Sequence, residues 1–593
     1  MKKVVLFFIT LGLVGGLTVI TLGEKKMTSL QANILEVIGQ AENAGLNTQK
    51  WESVAEQASK IPRIFPLSNV RNALLEMYEV LQDITSIQKT LPTISATSVG
   101  TQEVLELFKM FDSIETRLKK IERNLDWIPD FLIPDEAQEQ VQIHMRKIRI
   151  ARRALQDIAK FQNILKKFAQ HEEDVLILLQ NQNEPRSTGG FVGSIFLVHF
   201  SETEITWNFE DIYSLDRLVP GEVQPRAPEF FHDLSPVISL RDANFWPDFP
   251  TSAQMYRTFF SSIQDQKVPN TIIAINLHLL EEVLKLIGPV TLPKWGVTAD
   301  QYNVDLVLQF LVEGKVAGRF GAKYPVLEFA EELFSPSHLE KISWEDLIAI
   351  DWETFLAQKN IIGFSENSEL QRLFEKWRTD GRVRQKPESD NFLFFDFVSV
   401  GANKSEKFMW TRVWHDSEIK KNGTVKNTLE ITRTHALRSG EISELLRTSS
   451  WPVNIQELLN EELLWKLGAG QNRTVLRIFI PRNAKLLHTN NPSGRIMETF
   501  SKEKTFKILE VPMFVGAGET GTSTLTYETK ISEGSPNWRP YFLQLVGTPG
   551  REKTSFLATI STEKNGTFTA ETMNIGAPQD LVDSDFRSVI QFQ

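Results

Sequence analysis

Val4 to Leu22 is an uncharged run of about 19 residues that, as a helix, would be ~28 Å long and so match the ~30 Å hydrocarbon core of a bilayer. No later stretch of the 593 residues reaches the roughly 18 apolar residues that a second span requires. The chain is therefore expected to cross a membrane once, and to build everything after Lys26 from amphipathic elements that fold in water. Lys2 and Lys3 precede the run and Glu24-Lys25-Lys26 follows it, so the positive-inside bias places the amino end in the cytoplasm and the bulk of the chain outside. A cleaved secretory signal is the rival reading. The run is longer than an ordinary signal core and no Ala-x-Ala-like site follows, which favours an uncleaved signal anchor in the cell membrane, and either reading exports the same bulk.

Composition narrows the chemistry. The absence of cysteine removes disulfides, zinc-thiolate sites, iron-sulfur clusters and cysteine nucleophiles, and suits an exported bacterial protein. With 65 basic against 75 acidic residues the net charge is -10, which gives no support to nucleic-acid binding. Hydrophobic (41%) and charged (24%) fractions are those of a globular protein.

Hydrophobic periodicity divides the exported part. From about Thr28 to Phe168 apolar residues recur every three or four positions, as in Val104, Leu107, Phe111, Ile114, Leu118, Ile121 and Leu125, and proline-bearing breaks separate the helices. This predicts a helical bundle or stalk over 27–170, after a tip and anchor over 1–26. Its third long helix is strongly basic (Arg146, Lys147, Arg149, Arg152, Arg153, Lys160, Lys166, Lys167), which reads either as a solvated face or as a contact with anionic headgroups or wall polymer. At Asp174 the period changes. Val175–Leu179 and Gly193–Phe200 are strand-like runs, and helices at Ala253–Ile263, Leu277–Ile287, Asn303–Val312, Leu327–Leu333, Trp344–Leu356 and Ser368–Trp377 surround a buried strand at Thr271–Ile275, so 171–385 is expected to be an α/β domain. Strand-like runs from Phe392 to Thr562, with hairpin signals at Asn422-Gly423 and Asn565-Gly566, predict a β-sandwich over 386–593 with a helical insertion near Ile455–Trp465.

Familiar catalytic motifs are missing. Gly516-x-Gly518-x-x-Gly521 has the letters of a dinucleotide fingerprint, but the β-branched residues after it make a strand where a helix is needed. There is no P-loop, Gly-x-Ser-x-Gly elbow or His-Glu-x-x-His. Asn-x-Ser/Thr triplets at Asn403, Asn422, Asn472 and Asn565 are accounted for by chance and by turn chemistry. The most distinctive polar segment is Asn181-Gln-Asn-Glu-Pro-Arg186-Ser187-Thr188-Gly189-Gly190-Phe-Val-Gly-Ser194, where glycines at a strand end and an adjacent arginine supply what an anion site needs. A second, Leu240-Arg241-Asp242-Ala-Asn-Phe-Trp-Pro-Asp248-Phe-Pro250, stands before a helix. Its alternative reading is structural, with Arg241 pairing a carboxylate to pin a loop while Trp246 and Phe249 fill a core.

These two segments, with Ile287-Gly-Pro-Val290, resemble the bacterial membrane-anchored proteins named domain of unknown function 4012. Gly401-Ala-Asn-Lys404, Arg477-Ile-Phe-Ile-Pro481 and Gly547-Thr-Pro-Gly550 resemble that family's carboxy-terminal half. The family carries no assigned activity. A more distant likeness is to the LytR-CpsA-Psr phosphotransferases, which move glycopolymers from polyprenyl pyrophosphate to the cell wall. That likeness implies their fold for the α/β domain and a pyrophosphate cleft formed by Arg186, Ser187, Thr188, Gly189, Gly190, Arg241, Asp242 and Asp248, in which Asp242 is the candidate catalytic residue, as Mg²⁺ ligand or base. The aspartate of their Arg-Ser-Asp-Thr segment is absent, since Arg186-Ser187 is followed by Thr188-Gly189. Two functions are therefore carried forward. One is a non-catalytic envelope scaffold or ligand-binding protein whose sandwich contacts wall polymer or another protein; the other is a phosphotransferase-like protein that binds lipid-linked pyrophosphate.

Overall fold

The computed structural model describes residues 48–60, 67–90, 98–126, 135–318, 321–333, 358–384, 391–420, 422–447, 458–501, 505–530, 541–546, 554–564, 567–575 and 585–588, with a few single residues between. The apolar run Val4–Leu22 and all but the last residue of the helix expected at Trp344–Leu356 lie outside them. Among the described residues no helix is long and apolar enough to cross a membrane. The chain divides into two compact units, one of 1–172 with 200–206 and one of 173–199 with 207–593.

The first unit is helical. Helices α1 (Thr48–Ser59), α2 (Leu67–Thr90), α3 (Thr101–Asp126) and α4 (Asp135–Gln170) pack in sequence order. Their apolar stripes meet in a core that includes Leu74, Leu81, Ile114, Ile121, Met145 and Ile164. A short strand β1 (Ser98–Gly100) pairs antiparallel with Glu204–Thr206. Two arginines of the basic helix α4 serve the bundle itself. Arg149 bonds Glu122 at 2.8 Å and Arg152 bonds Glu115 at 3.1 Å, both acids lying on α3.

The second unit combines a mixed sheet flanked by helices with two further sheets. The mixed sheet runs β4-β3-β2-β5-β8, with β2 Asp174–Asn181, β3 Phe191–Phe200, β4 Glu204–Asp211, β5 Thr271–Asn276 and β8 Ile361–Ser365. β2 is antiparallel to β3 and parallel to β5, and β5 is antiparallel to β8. Because side chains alternate along a strand, its two faces part company. Leu176, Leu178, Ile195, Ile272, Ala274 and Ile362 pack against α5 (Phe249–Ser262) through Phe249, Ala253, Tyr256, Phe259 and Phe260. The opposite face, with Leu179, Phe196 and Ile275, looks toward α6 (Leu277–Ile287), α7 (Val304–Glu313) and α8 (Tyr324–Leu333). Those helices and the hairpin β6–β7 (Val290–Leu292, Val297–Ala299) share their own core, which includes Leu284, Ile287, Val290, Val307, Leu311 and Phe329. Helix α9 (Ser368–Lys376) closes the α/β part.

After β9 (Asn391–Ser399) come β10 (Met409–Ile419), β11 (Thr424–His435), helix α10 (Glu441–Arg447), β12 (Asn472–Pro481), β13 (Lys485–Asn490), β14 (Met497–Phe500), β15 (Phe506–Val515), β16 (Thr520–Lys530), β17 (Tyr541–Val546), β18 (Thr554–Lys564), β19 (Thr567–Ile575) and β20 (Asp585–Ser588). They form two six-stranded sheets, β13-β16-β11-β10-β18-β19 and β14-β15-β12-β9-β17-β20. Leu393, Phe395, Phe397, Leu476, Ile478 and Val511 of one sheet bury against Val413, Leu429, Ile431, Leu525 and Tyr527 of the other, which is the interleaved core of a sandwich. Every residue of β9 is buried, so it is covered on both faces. Its outer face ends in Val398, which joins Val400 and Val475 in packing on Phe231, Ile238 and Phe245 of the α/β part. Gly516 and Gly518 fall in the turn between β15 and β16, with Gly518 at φ 78°.

Candidate functional site

The Arg186 segment leaves β2 and returns into β3 through a tight turn. Gly189 lies at φ 138°, and a Cβ on Gly190 would fall 2.2 Å from the carbonyl carbon of Asn181, so backbone meets backbone where only glycine fits. The turn delivers Arg186 inward, where it is 1% exposed. Its Nε donates to Asp242 Oδ1 at 2.8 Å, one terminal nitrogen to the carbonyls of Pro185 (3.0 Å) and Ser399 (3.2 Å), and the other to Glu184 at 3.4 Å. The rings of Phe191 and Phe231 lie 5.3 and 5.6 Å from the guanidinium carbon. Burial works against the charge of Arg186, but Asp242 and Glu184 outweigh it and hold the guanidinium more firmly protonated than usual.

Around it the other expected residues are equally engaged. Ser187 Oγ lies 2.6 Å from the carbonyl of Phe245 and 3.1 Å from Asp396, and Gln180 donates to Thr188 at 2.5 Å. Ser239 bonds Asp242 Oδ2 at 3.3 Å, and Asn244 donates to the Gly190 carbonyl at 2.7 Å. Arg241 is 28% exposed at its side chain and bonds Asp216, with Asp242 at 3.6 Å and the Tyr213 ring at 5.4 Å. Asp248 accepts from Thr251 at 2.9 Å and from the Val383 backbone at 3.2 Å, well occupied as a helix-start and loop anchor. The structure thus brings Arg186, Ser187, Gly190, Arg241 and Asp242 together, sets Asp248 in a separate loop contact, and turns the arginines onto protein carboxylates.

Residues that sequence reasoning did not assign complete the junction. Asp396 and Arg477 face each other across the β9–β12 pairing. Arg477 Nε donates to Asp396 at 2.6 Å, and its NH2 group to Phe245 O at 2.6 Å and Ser187 Oγ at 2.5 Å, with the Phe245 ring 4.2 Å away. Lys404 bonds Glu184 and lies 3.7 Å from Glu313, and Lys407 bonds Asp305, which also accepts from Asn183 at 2.9 Å. Burial pushes the Glu184 carboxyl up, yet Lys404 and Arg186 together hold it below its ordinary range; Asp305 is held low in the same way by Lys407 and Asn183. The signal for Asp396 and Arg477 was present: each is a charge inside an otherwise apolar strand run.

Two cavities border this junction. One of about 800 Å³ lies between the α/β part and the sandwich and is bordered by Trp246, Asp248, Arg477, Phe500 and Glu510. The other, of about 510 Å³, lies on the α6–α8 side of the mixed sheet, with Glu184, Tyr213, Lys323 and Lys404 toward the junction and leucines and valines of the three helices elsewhere. Burial and then the charge of Glu184 push the Tyr213 phenol up to about 12. Among the described residues no group of three or more His, Asp or Glu side chains is placed to hold a metal ion.

Residues 170–312 match the family described as "Protein of unknown function (DUF4012)", which takes in the Arg186 and Arg241 segments and stops short of Lys323, Asp396 and Arg477. No curated protein matches the chain.

Proposed function

We propose that this chain, whose residues 170–312 match the DUF4012 family, is a membrane-anchored, extracytoplasmic envelope protein that holds a ligand or partner without turning it over. One observation carries the reading. Arg186, the group best suited by sequence to clamp a pyrophosphate, already spends four of its N–H donors on Asp242, Glu184 and the carbonyls of Pro185 and Ser399. To release it for a phosphate would strand the buried Asp242 carboxylate and leave Glu184 to Lys404 alone, and breaking a buried pair from one side costs about 3–5 kcal/mol. The segment instead fastens the α/β part to the sandwich through Ser399, Asp396 and Arg477.

The anchor and outward orientation are supported by Val4–Leu22 and its flanking lysines. A carboxy-terminal alkaline phosphatase fusion is expected to be active, and activity only from a cytoplasmic reporter in the same position would contradict the orientation. The phosphotransferase alternative rests on the LytR-CpsA-Psr likeness and needs Arg186 and Arg241 to meet substrate. The full chain in detergent, incubated with geranylgeranyl pyrophosphate and Mg²⁺, is expected to release no phosphate above the protein-free blank. Mg²⁺-dependent release that disappears in Arg241→Met would establish the transferase in its place.

A further inference from the structure

We propose that the 510 Å³ cavity binds a single-chain amphiphile with one anionic head, which Lys323 holds while the walls formed by α6, α7 and α8 hold the chain. This rests on the binding reading above and names its ligand class. The chain-holding part is built by Leu279, Leu280 and Val283 of α6, Leu308 of α7, and Val326 and Phe329 of α8. Asn276 caps the start of α6, its side chain accepting from the backbone N–H of His278 and Leu279, and the α6 residues Leu279, Leu280 and Val283 border the cavity together with Ile275 and Phe196 of the sheet. At ~30 Å³ per group, the share of a water molecule in the liquid, the space takes on the order of fifteen non-hydrogen atoms. That is one medium-length acyl chain with its head, and too little for two.

The charge at the junction end selects the head. Acidic and lysine side chains both border the cavity, but most are already matched: Lys404 with Glu184 and Glu313, Asp305 with Lys407, and Lys466 with Glu462. Asp211 caps the backbone N–H of Tyr213, and Lys315 is exposed. Lys323 is different. It is half-buried, its ammonium stands 3.0 Å from the position a Cβ would take on Gly193, and among the described residues no carboxylate or carbonyl is bonded to it. Burial and the neighbouring Lys404 push its pKa down, and the nearby carboxylates of Glu313, Asp211 and Glu184, none of them bonded to it, offset this only in part. A second group also awaits a ligand: Gln309, 6% exposed and bordering the same space, has neither amide atom hydrogen-bonded. Unpartnered buried polar atoms are rare in folded proteins, and a head group or hydroxyl reaching them would satisfy both. A polyanion is disfavoured, since Glu184, Asp211 and Glu313 border the same end and like charges brought together repel.

A fatty carboxylate and a monoalkyl phosphate share this chemistry, and competition separates them. The test uses the full chain in amphipol with a diazirine-bearing dodecanoate as photoprobe, and mass spectrometry to map the labelled peptides. Labelling is expected on α6 and α8, displaced by laurate or dodecyl phosphate but not by dodecanol, with the more effective competitor identifying the head. Lys323→Met is expected to weaken labelling at least tenfold and Ala330→Trp, which fills the cavity, to abolish it; Lys285→Met, on the exposed side of α6, should label as wild type. Labelling unchanged in Lys323→Met, equal displacement by dodecanol, or no label on α6 and α8 of a chain with normal melting would each overturn the proposal while leaving the saturated Arg186 untouched. Pyrophosphate turnover, by contrast, would overturn the non-catalytic reading without bearing on where the photoprobe lands.

Discussion

At Arg186 a guanidinium has left water entirely, and what compensates it is a set of partners drawn from three chain segments: Glu184 beside it, Asp242 before α5, and the Ser399 carbonyl at the end of β9. Truncating it leaves Asp242 buried with one weak hydroxyl partner and a 3.6 Å arginine. Arg186→Met is therefore expected to cost about 3–5 kcal/mol in urea unfolding, far more than a surface arginine, for which the usual cost is within about 0.5 kcal/mol. Gly190→Ala tests the turn that delivers the arginine. A methyl group 2.2 Å from backbone has nowhere to go, so the variant should lose at least about 1–3 kcal/mol, the range seen when a packed site is overfilled, and a neutral result would show the turn to be pliable. The residue identities at this site were legible in the sequence, because glycines, an arginine and an Arg-Asp pair cluster at strand and helix ends. Their direction was not. Whether an arginine at a strand end faces solvent or a second domain depends on Asp396 and Ser399, some 210 residues further on.

At the scale of elements, runs and periods carried the reading well. The helix Leu277–Ile287 has the expected bounds, and the strands expected at Val175–Leu179, Gly193–Phe200 and Thr271–Ile275 differ from expectation only at their ends, where the last residues pair across a ladder that no local pattern announces. The missed elements were hidden for different reasons. β8 contains Gly363, which interrupts an apolar run; a Cβ there would lie 2.3 Å from the ring of Phe374, so the glycine is a packing requirement rather than a break. β13 and β14 are largely exposed edge strands without an apolar face to read, whereas β4 does show Ile205, Trp207 and Phe209 in alternation. The basic helix α4 likewise disclosed its charge but not its partners on α3. Among the elements, α6 depends most visibly on one residue. Asn276 bonds the backbone N–H of His278 at 3.1 Å and that of Leu279 at 3.4 Å, and its amide reaches Asn360 at 3.0 Å. Asn276→Ala should cost about 1 kcal/mol, within a range of roughly 0.5–2, and should also loosen the photoprobe site, since α6 forms one wall of the cavity.

For the whole molecule the sequence suggested separate α/β and sandwich domains, and contact places both in one compact unit. Acid titration should show the ionic fastening and the buried sandwich histidine in different windows. Burial lowers His415 from 6.5 to about 4, so between those values the unfolded chain binds a proton that the folded chain refuses. Stability is then complete above pH 6.5 and declines as pH falls toward 4, by a few kcal/mol at ~1.4 kcal/mol per unit. His415→Gln should flatten the upper part of that slope, above pH 4.5, leaving the smaller share of His435, which burial also lowers. Glu184 and Asp305 have folded values depressed below 4.5 and 3.8, so their contribution is full above those values and lost only at more acidic pH, where the junction should loosen. The central claim, that Arg186 fastens two domains rather than grasping a substrate, is tested most directly by urea unfolding of Arg186→Met beside the double variant Arg186→Met/Asp242→Leu. Removing one partner strands a buried charge, whereas removing both replaces the pair with apolar contacts. The prediction is a loss of about 3–5 kcal/mol in the single variant with at least half of it regained in the double; a single variant as stable as wild type would contradict the account.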